Sequence, residues 1–232
     1  MNKLVIIGLI LVSLVLVIGA NGCVQTSSQT PSQTSSQISQ GTRSINKYYE
    51  WKYETFWTAY TYTYNLNIPM ESYDYYKSRS RAKAIDPRYV TYNEPAIQDI
   101  AKNLKKIIEE KNYDTIDFTL SFIKNMHYVQ DANTGYDEYP KYPIETLVEE
   151  TGDCEDTSYL TASILRAMGI GVVLVTLPGH MAVGVWCNDC QGTYYEVEGK
   201  KYFYLETTGK GWKLGYIPEQ YSGTKVSITN VP

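Results

Sequence analysis

Histidine is scarce in this 232-residue chain, which has only His127 and His180 beside four cysteines. A catalytic thiol would therefore have only these two histidines as possible imidazole bases. A zinc site is not indicated either, because the sequence has neither a closely spaced His pair nor a second C-x-x-C to complete one. The formal net charge is −4, and no run of Lys or Arg forms a basic footprint, which argues against a nucleic-acid partner. The sequence also lacks an Asn-x-Ser/Thr acceptor, so N-glycosylation is not indicated.

Cys154 has the most informative surroundings of the four cysteines. It stands within residues 152–156, Gly-Asp-Cys-Glu-Asp, directly before a stretch whose apolar residues have helical spacing. Asp153 suits the N-cap, and Asp156 three positions later forms a pair resembling a capping box. Cys154 then falls in the first turn, where the helix dipole favours a thiolate while the flanking carboxylates raise the pKa of the thiol. A cationic imidazole nearby is needed to favour the thiolate.

Four short runs after this predicted helix have the composition of β-strands. They span residues 172–177, 180–186, 193–197 and 202–206. Pro178 and Gly179 predict the turn between the first two, and the later runs are expected to continue an antiparallel meander. A helix packed on such a sheet brings its N-terminus near one end of the strands.

His180 and Glu206 complete a candidate site with Cys154. His180 begins the second predicted strand, so it can approach the helix N-terminus, and Glu206 ends the fourth, from where its carboxylate would orient the imidazole. A nucleophile, a base and a residue that orients the base are the three parts of covalent acyl-transfer catalysis. A single cysteine in a helix is more often a small buried hydrophobe, but the order of the three residues together favours catalysis.

Four segments carry a resemblance to a known family: residues 152–156 (GDCED), 165–170 (LRAMGI), 179–183 (GHMAV) and 205–208 (LETT). Over about the C-terminal half, the chain resembles the transglutaminase-like superfamily and, within it, the microbial branch of cysteine proteases. The resemblance implies an α+β fold with a papain-like, transglutaminase-like core of helices packed on an antiparallel sheet. It also implies a triad of Cys154 as nucleophile, His180 as general base and acid, and Glu206 as the acid that holds the imidazole. Family members usually have Asp in the third place, and the extra methylene of Glu206 can be accommodated.

An oxyanion hole is required beside such a nucleophile. The backbone N–H of Cys154 is the first candidate donor, and Gln130 and Tyr128 are candidates for the second by donor chemistry, with ordinary loop positions as the alternative. His127 has no acid or thiol pattern around it and is interpreted as structural. No cofactor and no metal are predicted, since no acidic loop has calcium-binding spacing.

Cys187 and Cys190 form a lone C-x-x-C between two predicted strands. In an oxidising compartment the pair would close a small disulfide, and two free thiols are the alternative. Both interpretations outweigh a redox or metal role, because zinc needs two further ligands.

The first 23 residues predict export and attachment to a membrane. Lys3 precedes an almost entirely apolar run over residues 4–20, which is typical of an export signal. The residues before Cys23 resemble a lipoprotein box, with Ala20 where Leu is usual, so Cys23 is the predicted lipid-attachment site. An uncleaved membrane anchor is the alternative. Either leaves the chain anchored to the cell membrane on its extracytoplasmic face.

The remaining sequence divides by composition into three segments. Residues 24–44 are mostly Ser, Thr and Gln and predict a disordered tether. Residues 45–95 are rich in aromatic side chains and predict an extension packed on the core, with a surface that grips peptide or sugar as the alternative. Residues 96–232 predict the transglutaminase-like catalytic domain, with helices over 96–110 and 113–126 and a polar loop over 128–142.

The sequence therefore predicts a membrane-tethered extracytoplasmic cysteine enzyme. It would cleave or transfer amide or peptide bonds of a peptide or protein substrate through a thioester acyl-enzyme. The microbial resemblance favours hydrolysis over cross-linking. The alternative is a non-catalytic cell-surface binding module that retains the transglutaminase-like fold, and a thiol-redox role for Cys187 and Cys190 is a third possibility.

Overall fold

The computed structural model describes residues 43–81, 85–131 and 139–232. The predicted export segment, the lipid attachment at Cys23, the tether up to residue 42 and the middle of the 128–142 loop lie outside these ranges. Within the described ranges, no helix has both the length and the apolar character needed to cross a membrane.

The described residues form five α-helices and nine β-strands. The helices are α1 Met70–Ser78, α2 Pro95–Lys111, α3 Thr115–Ile123, α4 Pro143–Glu149 and α5 Cys154–Ala167. The strands are β1 Ser44–Glu54, β2 Ala59–Pro69, β3 His127–Tyr128, β4 Thr151–Gly152, β5 Val172–Leu177, β6 His180–Trp186, β7 Tyr194–Val197, β8 Lys200–Leu205 and β9 Ser227–Asn230. The fold is α+β, as expected, with helices packed on an antiparallel sheet.

The main sheet has five strands in the order β7-β8-β6-β5-β9, with every pair antiparallel. The predicted meander is wrong in one respect, because β8 and not β7 lies beside β6. Burial explains the order. Residues 181–185 of β6 are buried and need a buried neighbour, which residues 203–205 of β8 supply, whereas the side chains of β7 alternate between exposed and half-buried and suit an edge. A two-residue turn with positive φ at Glu198 and Gly199 joins β7 to β8.

Helix α5 lies against this sheet and is buried almost along its whole length. The Asp153 carboxylate accepts a hydrogen bond from the Asp156 N–H, and the Asp156 carboxylate accepts one from the Asp153 N–H, each at 3.4 Å. The predicted capping box is confirmed, and it fixes the first helical residue at Cys154. This local pair therefore determines where the thiol stands.

The neighbouring helices differ from the prediction mainly at their ends. Helix α2 agrees closely, whereas α3 is shorter than residues 113–126 at both ends. The Asp114 carboxylate fixes its start by accepting from the Asp117 N–H at 2.8 Å. Helices α1 and α4 and strand β9 were not predicted. Helix α4 has Pro143 at its first position. The Glu145 carboxylate accepts a hydrogen bond from the backbone N–H of Tyr142 at 2.9 Å.

The hairpin β1–β2 alternates over most of its length between an exposed face and a buried or half-buried one. Tyr49, Trp51 and Tyr53 of β1 are buried, and the Trp51 ring meets the Phe122 ring at a centroid distance of 5.3 Å. The predicted strand over residues 60–64 falls within β2. The division of the chain at residues 45 and 96 stays a prediction.

A buried ionic cluster joins α1 and α4. The side chain of Glu145 is fully buried and accepts hydrogen bonds from Arg81 Nη2 at 2.7 Å and from the Tyr139 hydroxyl at 2.9 Å, beside the bond from the Tyr142 N–H. The Lys77 ammonium lies 3.6 Å away. Burial raises the pKa of Glu145 despite these partners, so the cluster tolerates little rearrangement.

Candidate active site

The Cys154 thiol stands at the N-terminal end of α5, half-buried, and is the one free cysteine among the described residues. Its Sγ donates to Glu155 Oε2 at 2.8 Å and accepts a hydrogen bond from the Met181 backbone N–H. Burial and the Glu155 carboxylate raise the pKa of the thiol well above its usual range, and the Met181 N–H offsets this only in part. The resting side chain is therefore a neutral thiol.

His180 lies at the start of β6 and contacts Glu206. His180 Nε2 is 2.9 Å from Glu206 Oε2, and the two side chains are 9% and 2% exposed. The other ring nitrogen, Nδ1, makes no hydrogen bond to the described residues. A carboxylate on one side of an imidazole fixes the tautomer and leaves the second nitrogen available as a base.

Three further groups hold the Glu206 carboxylate in place. The Tyr204 hydroxyl donates to Oε2 at 2.8 Å, while the backbone N–H and the hydroxyl of Thr208 donate to Oε1 at 3.0 and 2.7 Å. Burial alone would raise the pKa of Glu206, but the hydrogen bond and the electrostatic interaction with His180 and the bonds from Thr208 bring it below its usual range. Glu206 is therefore an ionised, oriented acceptor.

Side-chain hydrogen bonds fix the ends of β6 and β8 to the first turns of α5. Ser158 Oγ donates to the Met181 carbonyl oxygen at 3.2 Å, and the Thr207 hydroxyl lies 3.0 Å from the hydroxyls of both Thr157 and Ser158. Because Met181 also donates to Cys154 Sγ, the sulfur is anchored on the residue that follows His180. No hydrogen bond joins Cys154 to His180 in the described part of the chain, since the thiol points to Glu155.

Tyr221, which the sequence analysis did not identify, covers the His180 ring. The two rings are stacked with centroids 4.8 Å apart and planes 4° from parallel. Burial, Glu206 and Cys154 all raise the pKa of Tyr221. No sequence signal marks this residue, because two strands separate it from β6 and it belongs to a short 3-10 turn, Glu219–Tyr221. Tyr204 had a weak signal, since strand alternation puts it on the same face as Glu206.

The candidates for the second oxyanion donor lie along the segment that leads into α5. Strand β3 pairs in parallel with β4, and the Val129 N–H donates to the Gly152 carbonyl oxygen at 3.0 Å. Partial burial and the nearby Cys154 raise the pKa of Tyr128, and the Gln130 side chain hydrogen-bonds to its hydroxyl. The role of Tyr128 and Gln130 as the second donor stays a prediction. His127 is exposed on β3.

Replacing Glu155 with Gln is expected to make Cys154 more reactive. The change removes the negative charge that raises the thiol pKa, so the thiolate fraction at pH 8 should rise about tenfold or more. Iodoacetamide labelling between pH 7 and 9, followed by mass spectrometry of the Cys154 peptide, measures this. Glu110→Gln, at an exposed carboxylate of α2, is the control and should leave the rate unchanged. An unchanged rate in Glu155→Gln would contradict the electrostatic role assigned to Glu155.

Three donor atoms, from Asp153, Cys154 and Glu155, lie within 4.8 Å of one another. The Asp153 carboxylate already caps the helix, and the Glu155 carboxylate accepts a hydrogen bond from the Cys154 thiol. The hydrogen bonds at this helix start therefore account for the cluster, and we assign no metal to it. Burial and the neighbouring carboxylates Asp156 and Glu155 raise the pKa of Asp153.

A cavity of about 570 Å³ opens elsewhere, between β1, α3 and the segment that follows Glu206. Its lining includes Lys124, Lys213 and Trp212, and burial lowers the pKa of Lys124. Neither Cys154 nor His180 lines it.

Cys187 and Cys190 are joined by a disulfide, with their Cα atoms 5.7 Å apart. Of the alternatives that the sequence left open, the disulfide is the one present. The bond closes the segment that connects β6 to β7, and it leaves Cys154 as the candidate nucleophile in the described chain.

No protein-family model matches the chain, and no curated protein matches its sequence. Solved structures do show similarity. They include a TGase, at 17% identity and a TM-score of 0.33 over 70% of this chain and 45% of that one. They also include a "putative protease" from Parabacteroides distasonis, at 18% identity and a TM-score of 0.33 over 73% of this chain and 38% of that one.

A third similar structure is a "putative cysteine protease" from Cytophaga hutchinsonii, at 12% identity and a TM-score of 0.32 over 81% of this chain and 76% of that one. The chain spans less than half the length of the first two structures.

Proposed function

We propose that this chain is a transglutaminase-like cysteine enzyme that acts on amide or peptide bonds through a triad of Cys154, His180 and Glu206. One observation carries the proposal: a buried, ionised Glu206 holds the His180 ring at 2.9 Å, directly beside the residue that hydrogen-bonds to the Cys154 sulfur. Structural histidines do not require a carboxylate fixed by four donors. This arrangement supports His180 as a base whose second ring nitrogen, Nδ1, is available for proton transfer.

The proposed reaction begins when the thiol turns from Glu155 toward His180. Because His180 Nε2 is bonded to Glu206, Nδ1 takes the thiol proton, and the thiolate forms beside an imidazolium. The sulfur then attacks the substrate carbonyl carbon. The backbone N–H of Cys154, at the start of α5, stabilises the oxyanion with a second donor for which Tyr128 is the candidate.

Collapse of the tetrahedral intermediate gives a thioester on Cys154. The imidazolium donates its proton to the leaving amine as the C–N bond breaks, and the acyl group stays on the sulfur. Water then attacks the thioester, with His180 again as the base, and releases a carboxylic acid. An amine in place of water would give a new amide bond, and we favour hydrolysis of a peptide or protein substrate. The reaction as proposed requires no cofactor.

A substrate screen on the full chain tests this function. Peptides, isopeptides and a glutamine donor with a primary amine are offered separately, and Cys154→Ala is the matched inactive variant. We expect turnover of at least one substrate class, with a hydroxylamine-sensitive acyl adduct on the Cys154 peptide. Binding of peptides without turnover, equal in wild type and Cys154→Ala, would favour the non-catalytic binding module instead.

We also propose that the chain is tethered to a membrane through residues 1–23, with the described residues on the extracytoplasmic face. The support is the apolar run over residues 4–20 and the cysteine that follows it. Metabolic labelling with a fatty acid should mark the wild-type chain and not Cys23→Ser if the cysteine is lipidated. A Cys23→Ser chain that still partitions with membranes would assign the attachment to the uncleaved segment.

A further inference from the structure

The tip of the β1–β2 hairpin carries two large aromatic side chains that face solvent. Phe56 is 89% exposed and Trp57 is 87% exposed, and their rings meet edge to face with centroids 4.7 Å apart. Apolar area that stays hydrated is unfavourable, and adjacent exposed aromatic rings mark a surface that another molecule covers.

The turn does not need these side chains for its own conformation. The Thr55 N–H donates to the Thr58 carbonyl oxygen at 2.8 Å. The Thr55 hydroxyl donates to the same oxygen at 2.9 Å and accepts from the Thr58 N–H at 3.2 Å. Small or polar residues are usual at such positions. Phe56 and Trp57 are therefore available for a contact outside the hairpin.

The length of chain before β1 indicates what that contact is. Residues 24–43 separate the proposed membrane attachment from Ser44, where β1 begins. Their contour length is roughly 70 Å, whereas β1, with 11 residues, spans about 35 Å to the tip. A bilayer that holds residues 1–23 is therefore within reach of the hairpin tip.

The residues around the tip suit a lipid surface better than a charged protein surface. Lys52 and Glu54, the charged residues nearest in sequence, cancel each other, and Tyr60 on β2 adds a third ring that is 45% exposed. Aromatic side chains with a polar edge settle at the level of lipid headgroups. Such a contact depends on apolar area and needs no net positive charge.

We propose that Phe56 and Trp57 insert into the interfacial layer of the membrane that carries the chain, and so hold the domain against that surface. Two side chains suffice because the covalent attachment makes the contact intramolecular. The contact requires the membrane attachment proposed above and is independent of the chemistry at Cys154.

Brominated lipids test this contact, because they quench tryptophan fluorescence only at close range. The full chain is reconstituted in neutral phosphatidylcholine vesicles with or without bromine on the acyl chains. Residues 1–42 contain no tryptophan, so quenching reports only on the four tryptophans at 51, 57, 186 and 212. We expect quenching in the wild-type chain, loss of most of it in Trp57→Phe, and no loss in Trp186→Phe, a matched change at a tryptophan that is 41% exposed.

Wild-type fluorescence that bromine does not affect would overturn the proposed contact, and so would quenching that persists in Trp57→Phe. A second copy of the chain is the other candidate partner of the hairpin tip. Cross-linking between tips that rises with protein concentration in detergent, with no quenching in vesicles, would indicate that partner and would also overturn the proposed membrane contact. Turnover of the Phe56→Ser, Trp57→Ser double variant in detergent should equal that of wild type. This separates a failure of the membrane contact from a failure of the proposed enzyme activity.

Discussion

His180→Ala is expected to abolish turnover, lowering kcat/KM by about 10⁴-fold or more. Burial and Glu155 raise the pKa of the Cys154 thiol far above its usual range, so the sulfur is protonated at neutral pH and cannot attack without a base. The substitution removes that base and leaves the Glu206 carboxylate without its imidazole partner. Steady-state kinetics on the substrate identified by the screen measure the loss.

The second histidine supplies the matched control. His127 is exposed on β3, and His127→Ala should keep kcat/KM within about twofold of the wild-type value. Far-UV circular dichroism of both variants confirms that each is folded. Iodoacetamide labelling of Cys154 should also slow in His180→Ala and stay unchanged in His127→Ala. Full activity in a folded His180→Ala chain would end the assignment of His180 as the base.

Glu145→Ala should lower the free energy of unfolding by about 3–5 kcal/mol, because it removes one partner of a buried ion pair. The carboxylate is fully buried and holds Arg81, the Tyr139 hydroxyl and the Tyr142 N–H together. Without it, the Arg81 guanidinium, whose side chain is 13% exposed, keeps its charge with no carboxylate beside it. Urea unfolding followed by circular dichroism measures the change.

An exposed ion pair of the same type is the comparison. Glu110→Ala removes the partner of Lys106 on α2, where the atoms are 3.9 Å apart and both side chains are more than half exposed. That change should cost about 0.5 kcal/mol or less. If Glu145→Ala costs no more than Glu110→Ala, the buried cluster does not contribute to stability as described.

The parts of the fold that follow from neighbouring residues agree with the sequence prediction. Helix α5 begins at Cys154 because Asp153 and Asp156 cap each other across one turn. The bounds of β5 and β6 match the predicted runs, since a β-branched segment, a Pro-Gly turn and a second apolar segment are all local signals. The roles of Cys154, His180 and Glu206 stay predictions until the variants above are measured.

The parts that depend on distant residues were missed. Strand β6 pairs with β8 instead of β7, and this pairing buries the side chains of both strands. Such a pairing depends on two segments together, so neither segment alone predicts it. Strand β9 joins the sheet from the C-terminal end of the chain, and Tyr221 reaches His180 from a short 3-10 turn. The orientation of the thiol toward Glu155 was also not predicted, although the sequence analysis had identified the carboxylates as opposing a thiolate.

The sequence by itself determined which side chains have the chemistry of an acyl-transfer site and placed the thiol at a helix start, because both depend on residue type and on hydrogen bonds within one turn. Only the tertiary structure decided that Glu206 hydrogen-bonds to His180 Nε2, that the Met181 N–H hydrogen-bonds to the sulfur and that the thiol donates to Glu155. The first two contacts join residues more than 20 positions apart, and the third is a choice of rotamer. Burial of the sheet against α5 sets all three.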